Sequence, residues 1–190
     1  MKQILIGLTG HARTGKTTSA DHLASEHGFQ TYAFATPLKE GIAAMFGLNV
    51  EDLEGEDKEQ LIPWVGRSPR QLMQLLGTEW GRDMIGASIW VDIAEQNLDA
   101  MAELEPYAPG FVISDVRFEN EADFIRKRGG LVVHMRRSDA PDVNAHVSEL
   151  GVAVQPQDLV IDNDGELADL FGQLDQLVIA QQAAIASKAA

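Results

Sequence analysis

The chain has 190 residues, 45% of them hydrophobic, enough for one substantial buried core and short for two, so a single domain is expected. It contains no Cys, which excludes disulfides, thiolate metal sites and a cysteine nucleophile. Fifteen Lys and Arg against 29 Asp and Glu leave a net charge of −14, which disfavours nucleic-acid polymers and anionic membrane surfaces as partners.

The start, MKQILIGLTG, is too short an apolar run for a signal peptide, and no stretch reaches the roughly 18 apolar residues of a membrane span; a soluble, cytoplasmic protein is expected. Residues 3–8 read as a first strand. Gly10-His11-Ala12-Arg13-Thr14-Gly15-Lys16-Thr17 then fits G-x-x-x-x-G-K-[ST] without a mismatch. A helix should begin near Lys16, carry Ala20, Leu23, Ala24 and His27 on one face and stop at Gly28. After a second strand at 31–35, Thr36-Pro37 reads as N-cap and first turn of a helix through Leu38, Ile42 and Met45, closed by Gly47. EDLEGEDKEQ (51–60) is a charge run, expected as a solvated, mobile face.

Ser68-Pro69-Arg70-Gln71 is a capping box opening a helix through Leu72, Leu75 and Leu76 to Gly77. Ser88 can cap another, with Trp90, Ile93, Ala94, Leu98 and Met101 as its inward stripe. Further strands are expected at 111–114, 131–135 and 159–161, and an Ala-rich C-terminal helix should fray. Strands alternating with helices predict a mostly parallel sheet covered on both faces. The connection of about 75 residues between the second and third strands exceeds one crossover, so it should hold several helices and a substrate-binding insertion.

A Gly-rich turn from strand into helix points backbone N–H groups inward, and the helix dipole adds positive charge, so the loop suits a polyphosphate. Lys16 would reach the β- and γ-phosphates, and the Thr17 hydroxyl would ligate Mg²⁺. No N-K-x-D for guanine is present, which counts against a GTPase. A small-molecule kinase fits better than a motor, because phosphoryl transfer needs cations placed around two anionic reactants. Most of the nine Arg fall at element ends or in loops, where guanidinium forks bind phosphate.

Three stretches suit the second substrate. Lys39 lies in the first turn after FATP; Arg67, Arg70, Gln74 and Arg82 lie in GRSPRQLMQLLGTEWGR, with Arg70 and Gln74 on one helical face; Asp115 and Arg117 should lie just beyond the third strand. Asp115 would order Mg²⁺ water or contact a substrate hydroxyl, or else cap a turn. Arg136 and Arg137 suit a short lid over the transferring group, or a surface pair. Asn163 and Gly165 form a turn placed for the adenine edge. His134 and His146 read as structural. Trp64, Trp80 and Trp90 read as packing residues, with base stacking as the alternative, and Trp90 is carried as the acceptor-side candidate.

Taken in order, GHARTGKTT, FATPLKE, SPRQLMQLLGTEWGR, ISDVRFENEADFI, RGGLVVHMRR and VIDNDGEL resemble the bacteriophage deoxynucleoside monophosphate kinases, over roughly residues 3 to 170. The resemblance implies a three-layer P-loop kinase fold with a five-stranded parallel sheet in 2-3-1-4-5 order. It implies one domain over 1–190, with 37–105 as a helical monophosphate-binding insertion. It implies transfer of the ATP γ-phosphate to a deoxynucleoside 5'-monophosphate. Gly10 to Thr18 (with His11, Ala12, Thr14 and Thr18 completing the cradle) would hold ATP with Mg²⁺, and Lys16, Arg13, Arg136 and Arg137 would stabilise the transferred charge. Lys39, Arg67, Arg70, Gln74, Arg82, Trp90, Asp115 and Arg117 would line the acceptor side. Partners are then small molecules, in the host cytoplasm for a phage protein, with a homodimer left open. Two alternatives stand beside this: another small-molecule P-loop kinase, acting on dephospho-coenzyme A or a phosphometabolite, and an ATP-binding switch that transfers nothing.

Overall fold

The computed structural model describes residues 3–55, 57–138 and 151–189. His146 lies outside them. Five strands form one parallel sheet: β1 (Ile4–Thr9), β2 (Gln30–Tyr32), β3 (Gly110–Val116), β4 (Leu131–Arg136) and β5 (Leu159–Asp162), in the order β2-β3-β1-β4-β5. The helices are α1 (Lys16–His27), α2 (Thr36–Phe46), α3 (Pro69–Gln74), α4 (Ile89–Leu104), α5 (Glu119–Lys127) and α6 (Leu167–Ala189). This is the 2-3-1-4-5 order the resemblance implied.

The chain divides into two compact units, residues 1–33 with 99–190, and residues 34–98. In the first, Ile4, Ile6 and Leu8 of β1 join Val133, Met135 and Ile161 in a core closed by Ala20 and Leu23 of α1 and Leu170, Leu174 and Leu177 of α6. Fully burying each such side chain stabilises by roughly 1.5–3 kcal/mol. Gly7 points the other way: a Cβ there would lie 2.2 Å from Ile125 Cδ1, so α5 packs directly on the β1 backbone. Helices therefore cover both faces, and all five strands end at one edge, where β1 sits between β3 and β4.

The second unit is helical around Leu38, Ile42, Leu53, Leu72 and Trp90. Its capping box forms as expected: Ser68 Oγ accepts the Gln71 N–H at 3.3 Å, and Gln71 Oε1 accepts the Ser68 N–H at 3.0 Å. Two local readings are corrected. Ala35, not Thr36, is the N-cap of α2, because the chain is already helical at Ala35 and Thr36 is inside the helix. The helix opened by Ser68 does not end at Gly77; it continues as a π-helical segment, Leu75–Ile85. The reason is tertiary: a Cβ on Gly81 would lie 2.7 Å from Trp90 Cζ2, and the Trp90 indole N–H donates to the Gly77 carbonyl at 2.8 Å. The acidic run is largely exposed, as a solvated face should be, and within it Val50–Leu53 and Asp57–Glu59 form two 3-10 turns, with Leu53 alone among its described residues fully buried.

Candidate active site

β1 delivers the chain to a loop that turns through residues 10–15 before α1 begins at Lys16. Two glycines permit the turn. Gly10 has φ +138°, and a Cβ there would lie 2.2 Å from the Met135 carbonyl; Gly15 has φ +99°, and its Cβ would meet Asn163 Nδ2 at 2.5 Å. Between them Arg13 has φ +65°, a conformation that costs a non-glycine residue about 1–2 kcal/mol. Its side chain is exposed at the loop crown, as is His11, while Ala12 is half-buried.

The loop is held from inside. Thr14 is buried, its hydroxyl donates to the His11 carbonyl at 2.9 Å, and its own carbonyl accepts the Asn163 amide at 3.1 Å. Lys16 Nζ donates to the Gly10 and His11 carbonyls at 2.7 and 2.6 Å, which folds the ammonium onto the rim. The cavity beside it, about 450 Å³, is lined by Arg13, Gly15, Lys16, Thr17, Thr18, Arg137 and Asn163, among others. Asn163, expected at the adenine edge, lines this cavity, but its amide is engaged in bracing the loop.

The neighbouring strand ends add charge at the same edge. Arg136 ends β4 opposite Asp162 with its side chain exposed, and Arg137 follows in the cavity wall. Ser138 donates its N–H and hydroxyl to Asp164 Oδ1 at 2.7 and 2.9 Å, which ties this segment to the turn after β5 and holds the Asp164 carboxyl below the usual range. On the other side of β1, Asp115 is half-buried within β3 rather than beyond it, because the β1–β3 ladder resumes past a bulge to pair Thr9 with Val116. Exposed Arg117 follows; Glu121, 2% exposed, accepts the N–H groups of Arg117 and Phe118 at 2.8 and 3.1 Å and fixes that turn.

In the helical unit, Lys39 pairs with Glu54 at 2.9 Å and Arg70 with Glu59 at 2.5 Å, so the acidic run supplies their counter-charges. These are exposed pairs worth about 1 kcal/mol or less, so a ligand phosphate can displace them. Arg82 donates to the Ala87 carbonyl at 3.2 Å, Arg67 is exposed, and Gln74 is half-buried. Trp90 is corrected from acceptor-side candidate to core residue: it is 7% exposed and its indole N–H is satisfied. Trp64 and Trp80, expected as packing residues, are exposed.

Sequence reading missed the buried network at the start of β5. Asp158 has a side chain with no solvent exposure; it accepts from Arg126 Nη2 at 2.6 Å and Nε at 3.1 Å, from the Gln155 N–H at 2.9 Å, and pairs with His134 Nε2 at 3.0 Å. Burial pushes its carboxyl up, but these hydrogen bonds outweigh it and hold the group at about 2. The Arg126 guanidinium is correspondingly raised, chiefly by its hydrogen bond to Asp158. Residue identity alone carried no signal for this.

A parallel α/β sheet whose first strand runs through a G-x-x-x-x-G-K-T loop into a helix, with cations at the adjoining strand ends, defines a nucleotide-binding P-loop protein of the kinase class. Dephospho-CoA kinase from Campylobacter jejuni shares this fold, with a TM-score of 0.50 and 13% identity over 93% of this chain and 96% of that one. The deoxynucleotide monophosphate kinase family model matches residues 58–174. A protein of Acanthamoeba polyphaga mimivirus that carries that kinase's name is 33% identical over 90% of this chain and 94% of its own length. The deoxynucleotide monophosphate kinase of Enterobacteria phage T4 is 26% identical over 90% of this chain and 96% of its own length. The chain belongs to the deoxynucleotide monophosphate kinase family. The span matched by the family model starts beyond the P-loop, so that match does not depend on a loop common to many folds.

Proposed function

We propose that the protein transfers the γ-phosphoryl group of ATP to a deoxynucleoside 5'-monophosphate, giving ADP and the deoxynucleoside diphosphate. The observation that carries this reading is the Lys16 ammonium, poised on the Gly10 and His11 carbonyls at the mouth of a cavity at the α1 N-terminus, in a chain of this family.

The backbone N–H groups of residues 10–18 and the α1 dipole bind the polyphosphate. Lys16 exchanges its two carbonyl acceptors for phosphate oxygens. Thr17, exposed in the cavity wall next to Lys16, offers a hydroxyl oxygen, and Asp115 a carboxylate; both are hard oxygen donors that fit Mg²⁺. When bound, Mg²⁺ supplies charge neutralisation between phosphate oxygens. Arg13 and Arg137 line the cavity and take up charge that develops on the transferring group, with Arg136 beside them.

Lys39, Arg67, Arg70, Gln74 and Arg82 are assigned to the acceptor monophosphate, together with Asp115 and Arg117. Residues 37–105 then act as the monophosphate-binding insertion of one kinase domain. The substrates are small molecules, and the protein works in the cytoplasm without a nucleic-acid or membrane partner; no helix among the described residues is long and apolar enough to cross a membrane.

The test is ADP formation from ATP and Mg²⁺, measured with each deoxynucleoside monophosphate and with dephospho-coenzyme A. Turnover dependent on a deoxynucleoside monophosphate is expected; turnover with dephospho-coenzyme A alone, or none with any acceptor, would refute the assignment. Hydrogen exchange tests the insertion: the monophosphate should protect amides within 37–90, and unchanged protection there would remove its acceptor role.

A further inference from the structure

On the α1–α6 side of the first unit, three side chains that the phosphate site does not use converge. His22 and His27 of α1 direct Nε2 at the same atom, Asp175 Oδ1 of α6, at 2.8 and 2.7 Å. The three ligand atoms all lie within 4.8 Å of one another. Two imidazoles and a carboxylate from helices about 150 residues apart in sequence are thus gathered at one point.

The arrangement is held in place. His22 is 8% exposed and its ring stacks on Phe171, centroids 4.0 Å apart and planes within 7°. Phe171 lies four residues before Asp175, so both project from one face of α6. The His27 ring stands edge-on to that of His22, at 77° and 5.8 Å, so the two nitrogens meet rather than the two ring faces. Asp175 is 43% exposed at its side chain and His27 22%, which leaves an entry path from solvent.

We propose that His22, His27 and Asp175 form a site for a borderline divalent transition-metal ion of the Zn²⁺ type, which clamps α1 to α6. Zn²⁺ takes imidazole nitrogen at about 2.0–2.1 Å and carboxylate oxygen at about 2.0–2.2 Å, so neighbouring ligand atoms of a tetrahedron lie about 3.3 Å apart. The two contacts to Asp175 Oδ1 need open by only about half an ångström to admit the ion, the two ring nitrogens lying within 4.8 Å of each other, with each ring in the Nδ1–H tautomer presenting its Nε2 lone pair. Three protein ligands leave a position for water. The donor set also separates this site from the one at Thr17: imidazole suits Zn²⁺, whereas Mg²⁺ demands oxygen ligands. Since α1 begins at Lys16, the clamp fastens the helix whose other end faces phosphate.

The experiment uses the untagged full chain, stripped with chelator and titrated with Zn²⁺, Co²⁺ or Mg²⁺ while calorimetry, thermal melting and the visible Co²⁺ spectrum are recorded. One Zn²⁺ per chain is expected. At free Zn²⁺ about a hundred times Kd, Tm should rise by roughly 5–10 °C. Co²⁺ should show ligand-field bands that Zn²⁺ abolishes, and Mg²⁺ at the same concentration should do neither. His27→Gln and Asp175→Asn, both outside the core, should lose the Zn²⁺ shift and the bands while keeping the helical circular dichroism of the metal-free protein. Absence of stoichiometric Zn²⁺ binding, or binding undiminished in both variants, would overturn the proposal.

Discussion

Asp158→Asn isolates the buried network behind the sheet edge. The substitution keeps the size of the side chain and removes the charge that faces Arg126 and His134. At about 1.4 kcal/mol per pKa unit, a fall from 3.8 unfolded to about 2 folded corresponds to roughly 2 kcal/mol of stability. The side chain has no solvent exposure, so screening removes little of it. Arg126 retains Asp123 at 3.0 Å and Glu119 at 3.5 Å, which keeps the loss below the roughly 3–5 kcal/mol of an isolated buried pair. For a chain of this size the variant should melt roughly 5–8 °C lower at neutral pH.

The pH dependence gives the sharper check. A depressed carboxyl stabilises the fold above its unfolded pKa and stops doing so as pH falls through its folded pKa, here from about 4 down to about 2. The gap between wild type and Asp158→Asn in urea unfolding should therefore be constant from pH 7 to 5. It should then narrow by about 1 kcal/mol by pH 3, because the unfolded chain takes up a proton at Asp158 while the folded carboxyl still resists it. A gap under about 0.5 kcal/mol at pH 7, or one that does not narrow in acid, would refute the assignment of this stability to the Asp158 charge.

Lys16→Ala should cut kcat at least about 100-fold while moving Tm by less than about 2 °C, because the ammonium faces the cavity rather than the core; a large loss of thermal stability would contradict that placement. Arg70→Ala should raise the KM for the monophosphate roughly tenfold with kcat nearly unchanged, and an effect confined to ATP would reassign it. Asn163→Ala leaves the buried Thr14 carbonyl without its donor, so it should weaken ATP binding by about 1–3 kcal/mol and leave the monophosphate KM alone. Steady-state kinetics with ATP and GTP separate this from base recognition: a changed preference between the two would return Asn163 to the adenine edge.

Much of the fold is legible in the sequence because its signals are local. The β1 run, the G-x-x-x-x-G-K-T loop, the Ser68 capping box and the Trp90–Ala94–Leu98 stripe each lie within one or two turns of chain, where backbone sterics and periodicity act directly. The ordered set of motifs from GHARTGKTT to VIDNDGEL carried the family, which the family match over 58–174 and the relatives bear out. The strand order entered through that resemblance and not through any pattern of residues.

What went unread involves partners distant in sequence. Gly77 carries the signature of a helix end, yet the helix passes through it because Trp90, thirteen residues on, takes its carbonyl and packs on Gly81. The acidic run is solvated as its composition suggests, but only the fold buries its one Leu and pairs Glu54 and Glu59 with Lys39 and Arg70. Asn163 could be placed at the mouth of the site, but only the fold brings it against Thr14, 149 residues earlier, where it braces the loop. The same holds for Asp158 between Arg126 and His134, and for Asp175 between His22 and His27. By itself the sequence determined the turn from β1 into α1 and the place of Lys16 at its end, since both are built within one contiguous loop. Which side chains stiffen the loop and fasten its helix was decided by tertiary structure, because those hydrogen bonds join residues far apart in sequence, Asn163 to Thr14 at the strand ends and Asp175 of α6 to His22 and His27 of α1.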